Sequence, residues 1–437
     1  MDGRPLGIGL VGVGTVGGTV AHLLETEGRR LSLRAGRPLE VVRGVVRDPS
    51  RPRPGGLHGE RLTADWRAVV ADPRVEVVVE LLGGLTPARE VVLAALEAGK
   101  DVVTANKALL AEHGTEIFAA ARRSGRVVAF EAAVAGGIPI IQALSCGLAA
   151  NRIEALAAIV NGTCNFILTA MTGRELSYES ALRQAQELGY AESDPTLDVD
   201  GTDTAHKLAL LVQLAFGVTV TTADIPRVGI DRLETLDLKF ASELGYAVKL
   251  LATARLAGDG VVELGVAPRL VRLGTPLADV QGAYNAIRVV GDVVGDTLFY
   301  GLGAGAMPTA SSVLGDLVDV ACGRAARSFA VLGLWPERAG NQPAVRPGPA
   351  FCRYYLRFMI LDRPGALGQI AAVLGRHGIS IASVIQHDPG ETDGPESPVP
   401  LILMTHQADS VALRSALAEA DRLEVIRRPT VSYAVEE

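Results

Sequence analysis

Hydrophobic positions along the chain fall into two alternating rhythms. Short, dense apolar runs at residues 6–11, 39–46, 75–82, 101–104 and 126–131 are bounded by glycine, proline or charge, and predict strands buried on both faces. Between them, residues 16–24, 65–70, 87–98 and 109–123 place apolar side chains at helical spacing, and Gly99 stands where a helix C-terminus wants glycine. Strand and helix in alternation predict a parallel, doubly wound α/β sheet.

From Ile138 the texture changes. A strand is expected at 157–161, helices at 177–188 and 204–216, and paired strands at 248–256 and 261–268 joined by Gly258-Asp259-Gly260. Shorter strands follow at 288–291 and 297–300, then a helix at 310–325. Residues 336–350, rich in proline and glycine, read as a linker. Beyond it, strands at 354–360, 379–386, 400–407 and 423–431, helices ending at 376 and spanning 410–420, and a polar loop at 387–398 give βαββαβ, a ferredoxin-like unit. The fold class is therefore α/β. A doubly wound domain of Rossmann type is expected over 1–130, with 306–335 expected to rejoin it. An α+β domain spans 131–305, and a small ferredoxin-like domain 351–437.

Composition narrows the function. Lys plus Arg number 42 against 49 Asp plus Glu, a net charge of −7, which argues against nucleic acid or an anionic membrane as the main partner. No apolar run approaches the roughly 18 residues that cross a bilayer. Cys146, Cys164, Cys322 and Cys352 form no CxxC pair and no metal-ligand spacing, so reduced thiols in a cytoplasmic protein are expected; the N-terminus shows no signal peptide.

Gly12-Val13-Gly14-Thr15-Val16-Gly17 lies between the first strand and helix. Glycines there allow a tight turn and bring bare backbone and a helix N-terminus to a pyrophosphate. At the second strand's end, Arg47 precedes Asp48 and Arg51. An arginine there suits a 2′-phosphate, which favours NADP with NAD as the option; a solvated basic loop is the plainer reading. Thr104-Ala105-Asn106-Lys107 follows a strand at the sheet's carboxyl end, where ligands bind. The longest constellation runs from Glu192 through Asp198 and Asp203 to Lys207. Asp203 and Lys207 are four apart and share a helix face, either as a surface ion pair or as a pocket for a zwitterion. His206 points away. Asn161-Gly162-Thr163 offers backbone N–H groups and a hydroxyl, and residues 301–305, containing Gly303, let backbone approach a ligand or act as a hinge.

These motifs resemble the homoserine dehydrogenases. The likeness rests on GVGTVG, TANKALLA, EAAVAGGIPII from Glu131, NGTCNFIL from Asn161 and GYAESDPTLDVDGTDTAHK, and covers nearly the whole chain. The tail, with DRPGALGQIAAVL and GISIASVIQH, resembles an ACT domain, and with no aspartokinase-like segment ahead the chain resembles the monofunctional form. The resemblance implies reversible NAD(P)H-dependent reduction of L-aspartate 4-semialdehyde to L-homoserine. It implies Lys207, Lys107 and Asp203 as catalytic residues, and Glu192, Asp198, Tyr190, Gly162 and Thr163 around the substrate. Gly12 to Gly17, Arg47, Thr104, Asn106, Lys107 and Gly303 would meet the cofactor. Glu131, Val134, Gly136 and Ile138 would hold a monovalent cation, sodium, mostly through carbonyls. It further implies a homodimer or homotetramer, formed through the substrate-domain sheet, and L-threonine as effector at the ACT domain. Two rivals are a non-catalytic sensor of nucleotide and amino acid, against which the two lysines count, and another NADP-linked amino-acid dehydrogenase.

Overall fold

The computed structural model describes residues 3–336, 342–387 and 397–436. Part of the expected linker (337–341) and most of the expected loop at 387–398 (388–396) lie outside the described residues.

Strands β1 (Leu6–Val11), β2 (Leu39–Val45), β3 (Leu62–Thr63), β4 (Val77–Glu80), β5 (Asp101–Thr104) and β6 (Val128–Ala129) form a wholly parallel sheet in the order β3-β2-β1-β4-β5-β6. Every residue of β1 and β4 is buried, because helices cover both faces. On one face, Val20, Ala21 and Leu24 of helix Thr15–Thr26 share a core with Ala310, Val313 and Leu317 of helix Ala306–Ala321. On the other lie helices Ala88–Glu97 and Lys107–Ser124, through Val91, Val92, Leu110 and Phe118. The chain turns from the β1–β2 side to the β4–β5 side of this sheet, so a crevice opens beyond the carboxyl ends of β1 and β4.

Strands β7 (Ile153–Ile159), β8 (Tyr246–Leu256), β9 (Val262–Arg272), β10 (Tyr284–Gly291) and β11 (Gly295–Leu302) form an antiparallel array, β11-β10-β7-β8-β9. Strand alternation is plain in β7: Leu156 and Ala158 face the large core, Ala157 and Ile159 a smaller one behind the sheet. Helices Gly162–Arg174, Thr202–Phe216 and Thr235–Glu243 contribute Ile167, Leu211 and Phe240 to the large core.

In the C-terminal region, β12 (Val345–Pro347) and β13 (Phe351–Cys352) precede β14 (Tyr354–Leu361), β15 (Ile381–Gln386), β16 (Pro398–Thr405), β17 (Ala408–Asp409) and β18 (Ile426–Glu436). The order β18-β14-β16-β15, with two helices over one face, is the ferredoxin-like arrangement. Its sheet is not separate. β18 runs parallel to β9, pairing Ala434 with Arg269 and Glu436 with Val271, while β12 takes the start of the same edge, so one ten-stranded sheet crosses both regions. The other face of the C-terminal sheet is also covered. Arg357 on β14, only 2% exposed, grips Asp237 of helix Thr235–Glu243 through Nε at 2.7 Å and Nη2 at 3.0 Å, and reaches Glu234 at 2.8 Å.

Among the described residues, four helices of eight or more residues fall where periodicity gave no sign: Gly28–Ala35, Gly162–Arg174, Thr235–Glu243 and Arg324–Leu332. Helix Gly162–Arg174 is the instructive one. Apolar residues surround it, so it has no stripe to detect.

Candidate active site

Construction of the site begins at two helix starts. Strand β7 ends at Ile159, and Asn161 caps the next helix: its Oδ1 accepts the Cys164 N–H at 2.8 Å. Its side-chain amide then donates to two carboxylates, Asp198 Oδ1 at 2.8 Å and Asp203 Oδ2 at 2.9 Å. Gly201, at φ +86°, opens helix Thr202–Phe216 and puts Asp203 in the first turn, where the helix dipole favours a negative charge. One turn on, Lys207 Nζ donates to Asp203 Oδ2 at 2.6 Å and to the Val160 carbonyl at 2.6 Å. The other oxygen of Asp203 lies 3.2 Å from Lys107 Nζ. Lys107 is the first residue of the helix after β5, so it projects from the carboxyl end of the parallel sheet.

Burial on its own would raise the Asp203 pKa. Lys207 and Lys107, with hydrogen bonds from Lys207 and Asn161, outweigh it and hold the carboxyl well below the usual carboxylate range. Asp198 goes the other way. Burial raises its pKa, the Asn161 bond opposes, and the Asp203 charge adds to the rise. The cluster thus holds two ammonium groups over one firmly ionised carboxylate, able to meet an oxygen that gains negative charge.

The glycine turn passes a direct steric test. A Cβ at Gly17 would stand 2.1 Å from the Gly12 carbonyl oxygen, and one at Gly12, whose φ is +105°, would strike the Leu81 carbonyl at 2.7 Å. Around Gly14 there is open space. Gly17 packs the helix on the end of β1, Gly12 packs on the chain beyond β4, and Gly14 leaves bare backbone for a pyrophosphate, so these residues fit a dinucleotide. Val13 is buried and Thr15 exposed at the start of the helix, with Val16 between them in burial.

Other expected residues are placed as follows. Thr104 is buried and donates to Glu80 Oε2 at 2.7 Å; Asn106 caps the helix of Lys107 and donates to the Gly84 carbonyl at 2.7 Å. Their side chains are thus committed to protein. Arg47 is exposed two residues past β2. The Thr163 hydroxyl donates to the Tyr190 carbonyl at 2.6 Å, and Tyr190, half exposed, lays its ring on Phe166. Gly162 lies against the Ala283 carbonyl. Glu192 is exposed, with no side-chain bond or ion pair among the described residues. Gly303 is buried where a Cβ would collide with Asn285 at 1.8 Å, and Gly136 packs on the Gly303 carbonyl. Glu131 accepts the Ile141 and Gln142 amides at 2.9 and 2.8 Å; burial pushes its carboxyl up to about 7 against those bonds. The Gly136 carbonyl accepts from Ser312 Oγ at 2.6 Å, and that of Ile138 from Ile140 N at 2.8 Å.

Two contributors stand outside the expected set. The Asn161 side chain bridges Asp198 and Asp203; its signal was an asparagine between a strand and a helix, the N-cap pattern. Glu80, wholly buried, receives the Thr104 hydroxyl and the Leu82 amide and so fixes the loop beyond β4. An acid closing a Val-Val-Val strand is the trace it leaves in sequence.

A glycine turn at the switch point of a parallel sheet, with Lys107 rising from the carboxyl end of the same sheet to share a carboxylate with Lys207, fits a nicotinamide-dependent oxidoreductase. Family models agree in detail. "Homoserine dehydrogenase, NAD binding domain" matches residues 12–131, "Homoserine dehydrogenase" 139–318 and "ACT domain" 354–422. The homoserine dehydrogenase of Pseudomonas aeruginosa is 45% identical over 440 residues, 99% of each chain. A crystal structure of a homoserine dehydrogenase from Thiobacillus denitrificans is 43% identical over 99% of each chain, with a TM-score of 0.91. A hyperthermophilic archaeal homoserine dehydrogenase in complex with NADPH aligns to 72% of this chain and 97% of its own, at 26% identity and a TM-score of 0.61. The chain belongs to the homoserine dehydrogenase family. It is an NAD(P)-dependent oxidoreductase carrying a C-terminal ACT domain.

Proposed function

We propose that this cleft reduces L-aspartate 4-semialdehyde to L-homoserine, reversibly and with a preference for NADP(H), and that Lys207 delivers the proton. The observation that carries this reading is the shared Asp203. An ammonium has three N–H donors. Lys207 gives one to Asp203 and one to Val160, which leaves one to aim at a reacting oxygen. A bound nicotinamide supplies the hydride. Lys207 meets the charge that develops on the aldehyde oxygen and protonates it, while Lys107, with one carboxylate partner, holds the same oxygen or the substrate carboxylate. Asp203 orients both lysines. The unpaired Glu192 receives the substrate ammonium, with Asp198, Tyr190, Gly162 and Thr163 shaping the pocket around it.

NADP is favoured by the charges after β2. Asp48, the only carboxylate there, is occupied by Ser50 (N–H at 3.1 Å) and Arg51 (3.1 Å), which leaves Arg47 to a 2′-phosphate. The archaeal relative with NADPH supports the same choice. The oxygens of Glu131, Val134, Gly136 and Ile138, gathered on one short segment beside Gly303, are the hard donors a sodium ion takes. The ACT domain supports feedback by L-threonine. The stacked, exposed rings of Tyr284 and Tyr300, with exposed Leu298 and Leu302, form an apolar patch that supports pairing of two copies through the substrate-domain sheet. A cytoplasmic location agrees with four free thiols. Among the described residues no helix is long and apolar enough to cross a membrane.

The test is reduction of NADP+ and NAD+ by L-homoserine at alkaline pH, with L-serine and L-threonine as control alcohols. Homoserine alone should drive reduction, faster with NADP+. Folded protein that reduces neither cofactor overturns the reading.

A further inference from the structure

Glu80 closes β4 in the middle of the parallel sheet. In register it faces Val11 at the end of β1 on one side and Thr104 at the end of β5 on the other, so three strand ends meet at this residue beside the crevice. It is wholly buried, and no cation pairs with it among the described residues. Burial raises its pKa, against the hydrogen bonds that it accepts. A carboxylate buried without a cation is costly unless its oxygens are fully used.

Both oxygens are used. Oε1 accepts the Leu82 and Gly83 amides at 2.8 and 3.3 Å, and Oε2 accepts the Thr104 hydroxyl at 2.7 Å. The Thr104 oxygen in turn accepts the Asn106 amide at 3.0 Å. The Asn106 side chain returns to the Gly84 carbonyl at 2.7 Å, while its Oδ1 caps the next helix through the Leu109 amide at 3.1 Å. These bonds close a ring that joins the loop after β4 to the loop after β5, and the residue that follows Asn106 is Lys107. Packing does not hold the first loop. Leu82 and Leu85 are 38% and 39% exposed, and a Cβ on Gly83 or Gly84 would meet nothing. Its shape rests on Glu80 and Asn106.

We propose that Glu80 is a positioning residue for the reduction: through Thr104 and Asn106 it locks the two loops into one unit and fixes the helix start from which Lys107 meets the reacting oxygen. The part played by Lys107 rests on the proposed function; the ring does not. The carboxylate matters here as well as its shape, because it accepts from all three donors. In Glu80→Gln the side-chain oxygen can keep the Leu82 and Gly83 amides, but its NH2 then faces Thr104, whose hydroxyl proton is left without an acceptor. The side chain keeps its size, so the ring opens at Thr104 without leaving a cavity.

Turnover of L-homoserine with NADP+ in Glu80→Gln, in Lys107→Ala and in the double variant tests this, together with amide hydrogen exchange of Leu82 to Gly84 and of Asn106 to Leu109. Thermal melts check folding. Thr104→Val cuts the ring at the same bond and takes the place of Glu80→Gln if that variant does not fold. The expected result is a kcat lowered about ten-fold or more in Glu80→Gln, the scale of a displaced catalytic group, with NADP+ binding within about three-fold of wild type. On top of Lys107→Ala the same change should lower kcat by less than about two-fold, because the two residues act in series. Exchange should quicken in both loops together. Wild-type kcat in Glu80→Gln overturns the role. So does the full loss repeated in the Lys107→Ala background, which places the action of Glu80 elsewhere, and so does exchange that quickens after β4 alone. Lys107→Ala with wild-type turnover contradicts the use of Lys107 in the proposed function and overturns this role with it. A wild-type protein with no homoserine-dependent turnover contradicts the proposed function, while coupled exchange of the two loops still supports the lock.

Discussion

Lys107 and Lys207 hold opposite oxygens of one carboxylate, at 3.2 and 2.6 Å from Asp203. The first comes from the helix after β5 of the parallel sheet and the second from helix Thr202–Phe216, so Asp203 ties together the two walls of the cleft proposed for hydride transfer. Asp203→Asn keeps the shape and removes the charge. We expect kcat to fall by about 100-fold or more, with a much smaller change in NADPH affinity. A variant whose loss appears only in the KM for NADPH contradicts the orienting role.

The proposed NADP preference assigns the cofactor's 2′-phosphate to Arg47, exposed just past β2. Arg47→Ala should weaken NADPH by about ten-fold, the scale of one charge-assisted contact, and leave NADH unaffected. Parallel steady-state titrations of both cofactors measure this; equal losses for both would remove Arg47 from selectivity.

The grip of Arg357 on Asp237 and Glu234 predicts a stability effect remote from chemistry. Truncating one partner of a buried ion pair costs about 3–5 kcal/mol, because the other charge is left stranded. Arg357→Ala should therefore lower the urea midpoint clearly, and Asp237→Ala made on top of it should add less than it costs alone. Additive losses would mean that the two residues act independently.

Lys249 makes stability depend on pH. Its ammonium is buried behind the sheet, bonded to the Val280 carbonyl and to Asn165 Oδ1, and burial lowers its pKa to about 8. The unfolded chain, with an ordinary lysine near 10.4, binds more protons between these values, so stability rises with pH across that window. Between pH 7.5 and 9.5 the wild type should gain about 2 kcal/mol relative to Lys249→Met in urea unfolding. Identical pH slopes for the two proteins would contradict a neutralising lysine.

Local rules carried much of this architecture. The parallel sheet, the ferredoxin-like tail and the helix of Asp203 and Lys207 follow from apolar runs and i,i+4 spacing, since each element's own residues determine it. Helix Gly162–Arg174 did not follow, because a helix buried all round loses the polar face that marks its period. Nor did the merger of β18 with β9, because pairing across 165 residues depends on two edges whose sequences look like any strand (Ala434 on Arg269). In the site, Asp203 and Lys207 were visible as neighbours on one helix. Lys107 came from a separate motif, and only the folded chain brings it to the same carboxylate. Asn161 looked like a turn residue because its reach to Asp198 and Asp203 is tertiary.

The central claim is that Lys207 is the proton donor, and the most direct measurement pairs turnover with cofactor binding in Lys207→Ala. Homoserine-dependent NADP+ reduction should fall by about 100- to 10,000-fold, the range for loss of a positioned acid–base group, while NADPH binding measured by fluorescence stays within about three-fold of wild type. Turnover near the wild-type rate in Lys207→Ala would contradict the account and move the proton to Lys107 or to water.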